Sequence, residues 1–245
     1  MDAIVLSRRD IREYDQMLVL FTKEHGRRDV LLRSSKKIVS KNAPHCESGS
    51  LVDVSIVSGK EVDHATKVVP ITQFPQLYSD PHRLLLVKTG TTIFEKMVTT
   101  QQKDEALFRL LLSFVVCINT QVHVSSLFVD AFALQLLSVL GYTPVFDRCV
   151  VHQEKHATVA LSYVDGGMIC ADVLERMVDK KNVRSISQEC MSVLNTLLSL
   201  SWATLSSLEY SDVSIKQAHE HVHALVQYRS ERKISSWNHV DTLFV

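Results

Sequence analysis

The chain contains few of the residues from which long flexible linkers are made. Its 245 residues include only seven glycines and five prolines, so extended spacers between domains are not expected. Cysteine is also sparse, with five residues scattered along the chain at Cys46, Cys117, Cys149, Cys170 and Cys190. An odd and dispersed set fits reduced thiols in a cytosol better than a framework of disulfide bonds.

Neither sign of charge is in excess. Lys and Arg together number 27, as do Asp and Glu, and the sequence pI is about 7.2. This balance argues against a chain coated in positive charge, although a local cationic patch could still guide a polyanion to its site. Hydrophobic residues make up 46% of the chain, so a packed core is expected. At this length the chain could form one large domain or two modest ones.

Long hydrophobic runs are missing as well. No stretch reaches the ~18 uninterrupted apolar residues that a membrane-spanning helix needs. The first residues also lack the basic segment and apolar segment of a secretory signal. We therefore expect a cytoplasmic protein.

The first 70 residues are rich in short runs of Val, Ile and Leu bounded by polar or turn residues, which predict five strands. The predicted strands cover residues 3–7, 17–22, 28–32, 51–57 and 61–69. No predicted helix separates them, so they favour a small antiparallel barrel. Gly26 and residues 58–60 are predicted turns, and Pro70 and Pro75 mark the predicted exit from the barrel.

A cationic loop is predicted beside this barrel, at residues 33–41. Asp29 is the single acid within residues 27–41. The cations of this stretch are the candidate DNA-binding residues: Arg27, Arg28, Arg33, Lys36, Lys37 and Lys41. A basic groove beside a barrel of this kind is a common way to bind single-stranded nucleic acid. The alternative is an ordinary solvated loop. Arg8, Arg9 and Arg12 are weaker candidates, because acids lie among them.

Aromatic side chains that could stack on bases are few near the barrel. Tyr14 lies in a polar connection and is the best stacking candidate, whereas Phe21 lies in a predicted strand and is assigned to the core. With so few aromatics, contacts to the phosphate backbone should dominate over base readout. Binding would then be indifferent to sequence.

After Asp80 the hydrophobic period changes from two to about 3.6, which predicts helices. They are expected at residues 82–100, from a cap near Asp104, and at 125–140, 171–178, 185–208 and 214–228. Helix 125–140 is apolar almost all round and should be central. Gly141 and Pro144 should end it, and residues 145–170 are predicted to be irregular. The fold class is therefore α+β, with a barrel domain at 1–78 and an all-α helical domain at 79–245.

Several short motifs occur in an order that spans nearly the whole chain. They are AIVL at 3–6, then Arg9, Glu13 and Asp15, LFT at 20–22, Gly26, LLRSSKK at 31–37, FALQLLSVLGYTP at 132–144 and KISS at 233–236. In this combination the chain resembles RecO, a family of bacterial DNA-repair and recombination-mediator proteins. The string at 132–144 is the most specific match. The family usually carries a glycine where Ser34 stands here.

The resemblance implies an N-terminal OB-fold barrel, a C-terminal helical domain and a protein without catalytic residues. It implies binding and annealing of single-stranded DNA, action on DNA coated with single-strand-binding protein, and cooperation with RecR to load RecA. Association with the nucleoid follows from those partners. Two rivals remain: an adaptor that binds only protein through the barrel, and a metal-dependent hydrolase. Against the hydrolase, no cluster places a carboxylate as a general base.

Many RecO relatives carry Cys-x-x-Cys twice between residues 145 and 175, with the spacing of a zinc ribbon. Here the corresponding positions are Cys149, His152, Cys170 and Val173. Valine cannot bind zinc and Asp172 is displaced by one position, so we predict a degenerate segment that needs no cofactor, with the first three as weak metal candidates. His156 could supply a missing ligand. His219, His221 and His223 are interpreted as a solvated helix face rather than a metal pair.

Overall fold

The computed structural model describes residues 1–36, 42–153, 158–199, 201–208, 210–231, 234 and 237. Lys37, Lys41 and His156 therefore lie outside the described residues. The chain forms two compact units, Met1–Val122 and His123–Val245. Within the described part, no helix is long and apolar enough to cross a membrane.

The first unit begins with a closed five-stranded barrel, which confirms the predicted barrel. Its strands are β1 (Asp2–Asp10), β2 (Gln16–Thr22), β3 (Gly26–Leu32), β4 (Leu51–Val57) and β5 (Asp63–Thr72). Their order around the barrel is β1-β2-β3-β5-β4. All neighbours are antiparallel except β3 and β5, which run parallel. This is the Greek-key arrangement of an OB-fold.

The barrel interior is filled by the alternate residues of each strand, as the period-2 pattern predicts. Val5, Leu20, Val30, Leu32 and Val52 are all buried in one cluster. Each such side chain stabilises the fold by roughly 1.5–3 kcal/mol relative to its exposed state. The opposite faces of β1, β2 and β3 carry side chains that reach the helices or solvent.

Two strand limits differ from the prediction. Arg8, Arg9 and Asp10 continue β1 and pair with β2, whereas the predicted strand covered only residues 3–7. Pro70 lies inside β5 opposite Val52 rather than beyond the strand. The ladder shifts register beside it, between Leu51 and Val52, where proline's missing donor is tolerated.

Three helices complete the first unit: α1 (Pro75–Ser79), α2 (Pro81–Met97) and α3 (Glu105–Thr120). The Asp80 carboxylate accepts from the His82 amide at 2.9 Å, and Asp104 accepts from the Leu107 amide at 2.9 Å. Both predicted N-caps are therefore confirmed. The sequence analysis did not predict α1, which is only five residues long.

The outer face of β2 packs against α2. Phe21 and Phe94 meet edge to face with ring centroids 4.8 Å apart. At the β2–β3 turn, Gly26 has a φ of +65°, and a Cβ there would lie 2.3 Å from the Gln102 carbonyl oxygen. This turn therefore requires glycine twice over, for its left-handed backbone and for the close approach of the segment after α2.

The second unit contains helices and a small sheet. Its elements are α4 (Leu127–Val139), β6 (Thr158–Ser162), β7 (Gly167–Cys170), α5 (Ala171–Arg176), β8 (Val183–Ser185), α6 (Gln188–Ser199) and α7 (Asp212–Ser230). Helix α4 is buried on nearly every side and packs against α6 and α7, as predicted. Gly141, with a φ of +85°, ends it, and the Tyr142 amide donates to the Leu137 carbonyl.

The sequence prediction was wrong for two segments of this unit. The segment 145–170, predicted to be irregular, contains β6 and β7, which form a three-stranded sheet with β8 in the order β7-β6-β8. The helix predicted at 185–208 begins only at Gln188, because the Ser187 hydroxyl accepts from the Cys190 amide and caps it. After Ser199 the chain forms a 3-10 helix, Trp202–Ser207.

The histidines of α7 are not a solvated face. His219 and His221 are both almost fully buried, so the interpretation from sequence was wrong. His219 bonds the Asp130 carboxylate through Nδ1 at 2.8 Å, and Trp237 donates to its Nε2 at 3.1 Å. His219 and His221 are two positions apart and therefore lie on different faces of the helix. Both are buried because α7 packs against α4 and α6 and so buries more than one face.

Burial lowers the pKa of His221 to about 4, with a smaller effect of the Arg184 charge. The unfolded chain then binds the proton more readily than the folded chain between pH 6.5 and 4. The contribution of neutral His221 to the free energy of unfolding is fully present above the pKa of the unfolded chain. It falls as the pH drops through this window, by up to about 3 kcal/mol. Urea titrations across this range should show the loss, and His221→Gln should flatten it. An equal slope in His221→Gln would refute the assignment, and the exposed His25→Asn should leave the slope unchanged.

Candidate nucleic-acid interface

One end of the barrel carries two loops that are bonded into a single rim, defined here as residues 10–15 and 33–36. The Lys36 amide donates to the Tyr14 carbonyl at 3.2 Å, and the Ser34 amide donates to the Asp15 carboxylate at 2.8 Å. The Lys36 ammonium also donates to the Asp10 carboxylate at 2.7 Å. Three bonds between distant stretches of sequence therefore hold the described part of the cationic loop in place.

The backbone of the rim is tightly turned. The amides of Ile11 and Arg12 both donate to the Asp15 carbonyl, at 3.1 and 3.3 Å, which closes the β1–β2 connection. Ser34 has a φ of +54°, in the left-handed region that favours glycine. Ser34 therefore holds a backbone conformation that glycine would adopt at no steric cost.

A second loop, residues 58–62, flanks β3 on its other side. Val30–Leu32 pair with β2 on one edge and with the first residues of β5 on the other. The end of β3 thus lies between the β1–β2 and β4–β5 connections, where OB-folds bind oligonucleotides. Lys60 in the second loop is exposed. Sequence reasoning assigned Lys60 only to a turn, and the β3–β5 pairing that brings it near was not visible in the sequence.

The charges of the rim are mixed. Arg12, Arg33 and Lys36 are exposed, and within the described residues neither arginine pairs with a carboxylate. Lys36 pairs with Asp10, whose pKa is lowered most by this hydrogen bond, then by that from Gln16 and, to a smaller extent, by the charge of Arg8. Since Asp10 and Lys36 are both exposed, water screens their attraction and a phosphate could displace the carboxylate.

Tyr14 lies on this rim with 45% of its surface exposed. A hydrogen bond with Glu13 raises the pKa of its hydroxyl, so the phenol stays protonated near neutral pH. Its ring is accessible for stacking, in agreement with its selection from sequence.

Two of the candidate arginines belong instead to an ion-pair network on the outer face of the barrel. Arg27 donates to the Glu95 carbonyl at 2.9 Å and to the Asp29 carboxylate at 3.1 Å, and its side chain is only 18% exposed. Arg27 also lies 3.5 Å from the Glu95 carboxylate. Arg9 lies farther from the carboxylates of Asp29 and Glu95, at 3.7 and 3.8 Å, and is more exposed. This geometry favours a structural role for Arg27, which fastens α2 to the barrel. Arg28 is half-buried.

In the second unit, the three weak metal candidates do come together. The Nδ1 atom of His152 lies 3.9 Å from the Cys149 sulfur and 3.4 Å from the Cys170 sulfur. All three atoms lie within 4.8 Å of one another. Burial raises the pKa of the Cys149 thiol, but hydrogen bonds, mainly from the backbone amides of His152, Cys170 and Val151, outweigh it and lower the pKa.

Comparison with known proteins places the chain in a family. The family model described as Recombination protein O N terminal matches residues 1–74, and the model described as Recombination protein O C terminal matches residues 78–238. The chain belongs to the RecO family. RecO is a family of DNA-repair mediators and is not known as a family of catalytic enzymes. The OB-fold barrel followed by a helical region, expected from the resemblance, is confirmed.

Two curated RecO relatives match over almost their full length, and a third matches over part of its length. A relative from Desulforamulus reducens is 23% identical over 246 residues, covering 100% of this chain and 94% of the relative. One from Symbiobacterium thermophilum is 23% identical and covers 99% and 96%. One from Roseiflexus sp. is 27% identical over 70% of this chain and 60% of the relative. All three are named DNA repair protein RecO.

The RecO family models divide between residues 74 and 78, whereas the contacts divide the chain after Val122. The helices α2 and α3 therefore belong to the first compact unit by contact and to the C-terminal model by sequence. The domain boundary after residue 78 stays a prediction.

The RecO zinc ribbon does not fit the described residues as a closed site. Three ligand atoms converge with spacings suited to tetrahedral zinc, but a structural site needs four. Val173 occupies the fourth position and cannot bind zinc. The Asp172 carboxylate pairs with Arg176 at 2.8 Å. It lies 3.8 Å from Nε2 of His152, whereas the sulfurs lie beside Nδ1 of that ring. Absence of zinc remains a prediction, which metal analysis of the purified chain would test.

Proposed function

We propose that this RecO-family protein is a non-enzymatic mediator that binds single-stranded DNA on the rim and anneals it. In this proposal it acts on DNA coated with single-strand-binding protein and works with RecR to load RecA, in the cytoplasm at the nucleoid. The family supports the role in DNA repair, and the geometry of the first unit supports the choice of surface. No cofactor is required for this activity.

One observation carries the choice of surface: Arg33 and Lys36 project from a loop that is bonded to the β1–β2 connection beside the end of β3. A loop fixed in this way presents its cations without first being ordered, so less entropy is lost on binding. The neighbouring cations Arg12 and Lys60 and the ring of Tyr14 extend the same surface on either side of β3. A strand held by charge and stacking would be bound with little regard to its sequence.

Fluorescence anisotropy with short labelled single strands at low salt tests this proposal. We expect similar affinities for strands of different sequence and weaker binding as salt rises. An adaptor that binds only protein would leave the anisotropy unchanged. The steps that involve protein partners are tested by annealing of strands coated with single-strand-binding protein, and by RecA loading with and without RecR.

Replacing Asp10 with asparagine should strengthen DNA binding by about threefold at low salt, because it removes a negative charge and releases Lys36 from its ion pair. The matched control is Asp53→Asn, since Asp53 has the same side-chain exposure, 59% against 58%, and pairs with the N-terminal amine instead. Equal gains in both variants would point to net charge alone and would contradict a role for the rim.

A further inference from the structure

A cavity of about 240 Å³ opens on the first unit where the loop after β3 enters β4 and where β5 leads into α1. Its apolar wall is formed by Pro44, Pro70, Pro75, Phe74 and Tyr78. Proline and aromatic rings present flat apolar faces. The cavity is smaller than the roughly 300–1,000 Å³ typical of sites for drug-sized ligands, so it suits a single ring system.

The Tyr78 ring is held in one orientation and is still accessible. Its hydroxyl lies 2.8 Å from the Ser50 hydroxyl, in a hydrogen bond for which either oxygen can be the donor, and 40% of the residue is exposed. Burial raises the pKa of this hydroxyl, so the hydrogen-bonded phenol persists at neutral pH. A ring already fixed by its own hydrogen bond loses little entropy when another ring stacks on it.

Polar groups line the rest of the cavity: the imidazole of His45, the hydroxyl of Thr72 and the amide of Gln73. Together they offer both donors and acceptors. The edge of a nucleobase also carries donors and acceptors and can satisfy them. His45 is half-buried and Thr72 and Gln73 are exposed, and the apolar ring of a phenylalanine side chain would cover these groups without offering them a hydrogen-bond partner, which is unfavourable. The lining therefore favours a base over an aromatic side chain of a peptide.

Strand β1 leads from the rim towards the cavity, since it contributes Asp10 to the rim and its Val5 amide donates to the Ser50 carbonyl at 3.0 Å. Lys36 pairs with Asp10, and Asp10 also lies within the field of Arg8. Arg8 in turn pairs with Glu47, whose carbonyl accepts from the Ser50 amide at 3.0 Å. Ser50 is the residue that holds Tyr78. The rim and the cavity therefore lie in the same unit, and Arg8, Glu47 and Ser50 lie between them.

We propose that this cavity takes one unstacked nucleobase of the single strand bound on the rim, with the base stacked on the Tyr78 ring between the prolines. The proposal rests on the proposed function and adds to it a site for a base. Contacts to phosphate would then provide most of the salt dependence of binding. The cavity would provide the part of the affinity that is lost when the strand carries no bases. The polar lining is compatible with more than one base, so sequence preference would stay small.

The test compares a strand carrying all its bases with an abasic strand of the same length. Stacking of one base contributes about tenfold in affinity, so the wild-type chain should bind the complete strand about tenfold more tightly than the abasic one. Tyr78→Leu should reduce this difference by about tenfold, the share of one stacked base, and keep the salt dependence. Tyr78→Phe retains the ring but not its hydrogen bond to Ser50 and should keep most of the difference, and thermal unfolding shows whether each variant is folded.

A second measurement needs no variant. Irradiation of the wild-type chain with a 5-iodouracil strand should cross-link the strand to Tyr78, located by mass spectrometry of the peptides. Equal affinity for complete and abasic strands, or cross-links confined to Tyr14, would overturn the base site while leaving the proposed function standing. Failure to bind either strand at low salt would overturn the proposed function itself. Competition by an aromatic peptide but not by a free nucleoside would mean that the cavity is a peptide site.

Discussion

Replacing Asp130 with alanine is expected to destabilise the second unit by about 3 kcal/mol or more. Asp130 is fully buried in α4, and both of its carboxylate oxygens lie within 2.9 Å of Nδ1 of His219 in α7. Because Trp237 donates to the other ring nitrogen, Nδ1 carries the proton that bonds the carboxylate. Alanine would leave that N–H without an acceptor in the core and would also leave a small cavity.

Urea denaturation followed by tryptophan fluorescence measures this effect, since Trp237 is part of the network. Asp130→Asn keeps an acceptor of similar size and should lose much less stability. Glu105→Ala removes only an exposed pair with Arg109 and should change the unfolding midpoint little. If Asp130→Ala unfolded at the same urea concentration as the wild type, the network would not stabilise the fold.

Replacing Arg33 and Lys36 together with alanine should weaken binding to every single-stranded sequence by about tenfold or more at low salt, because two phosphate contacts are lost. The fold should be unaffected. Both side chains are exposed, and the loop is also held by its amides, through the bonds of Ser34 to Asp15 and of Lys36 to Tyr14.

The control is the double variant Lys23→Ala and Lys103→Ala, which removes the same charge. Lys23 follows β2, at the end of the barrel away from the rim. Lys103 lies in the same region, since the charges of Lys103 and Lys23 both lower the pKa of the Glu105 carboxylate. We expect the control to bind DNA almost as well as the wild type. Equal losses in the two double variants would show that binding depends on total charge and not on the rim.

The parts of the fold that local sequence determines were predicted well. Alternation of apolar residues defined the five strands, and Asp80 and Asp104 marked helix starts, because a cap acts within three residues of the chain. The burial of α4 followed from its lack of a polar face. These features depend on neighbours in sequence, so the sequence alone reveals them.

The features that were missed depend on residues far apart in the chain. Arg27 was a DNA-binding candidate because Glu95, 68 residues away, could not be recognised as its partner. The solvated face assigned to His219 and His221 was wrong because their partners, Asp130 and Tyr163, lie on other elements. A three-residue strand such as β8 carries too little pattern to be separated from the helix that follows.

The candidate site was predicted in part. Sequence reasoning selected Arg33, Lys36 and Tyr14, and the structure brings all three to one rim. It did not select Lys60, whose loop is brought beside β3 only by the parallel pairing of Asp63 in β5 with Val30 in β3. The contributions of Lys37 and Lys41, which lie outside the described residues, stay predictions.

The salt dependence of single-stranded DNA binding tests the central claim most directly, with the wild type and the Arg33, Lys36 double variant measured side by side. The plot of log affinity against log salt concentration should be linear, and the slope of the double variant should be shallower by about 1.4, since each lost contact to a single strand removes about 0.7. Identical slopes for the two proteins would contradict the account.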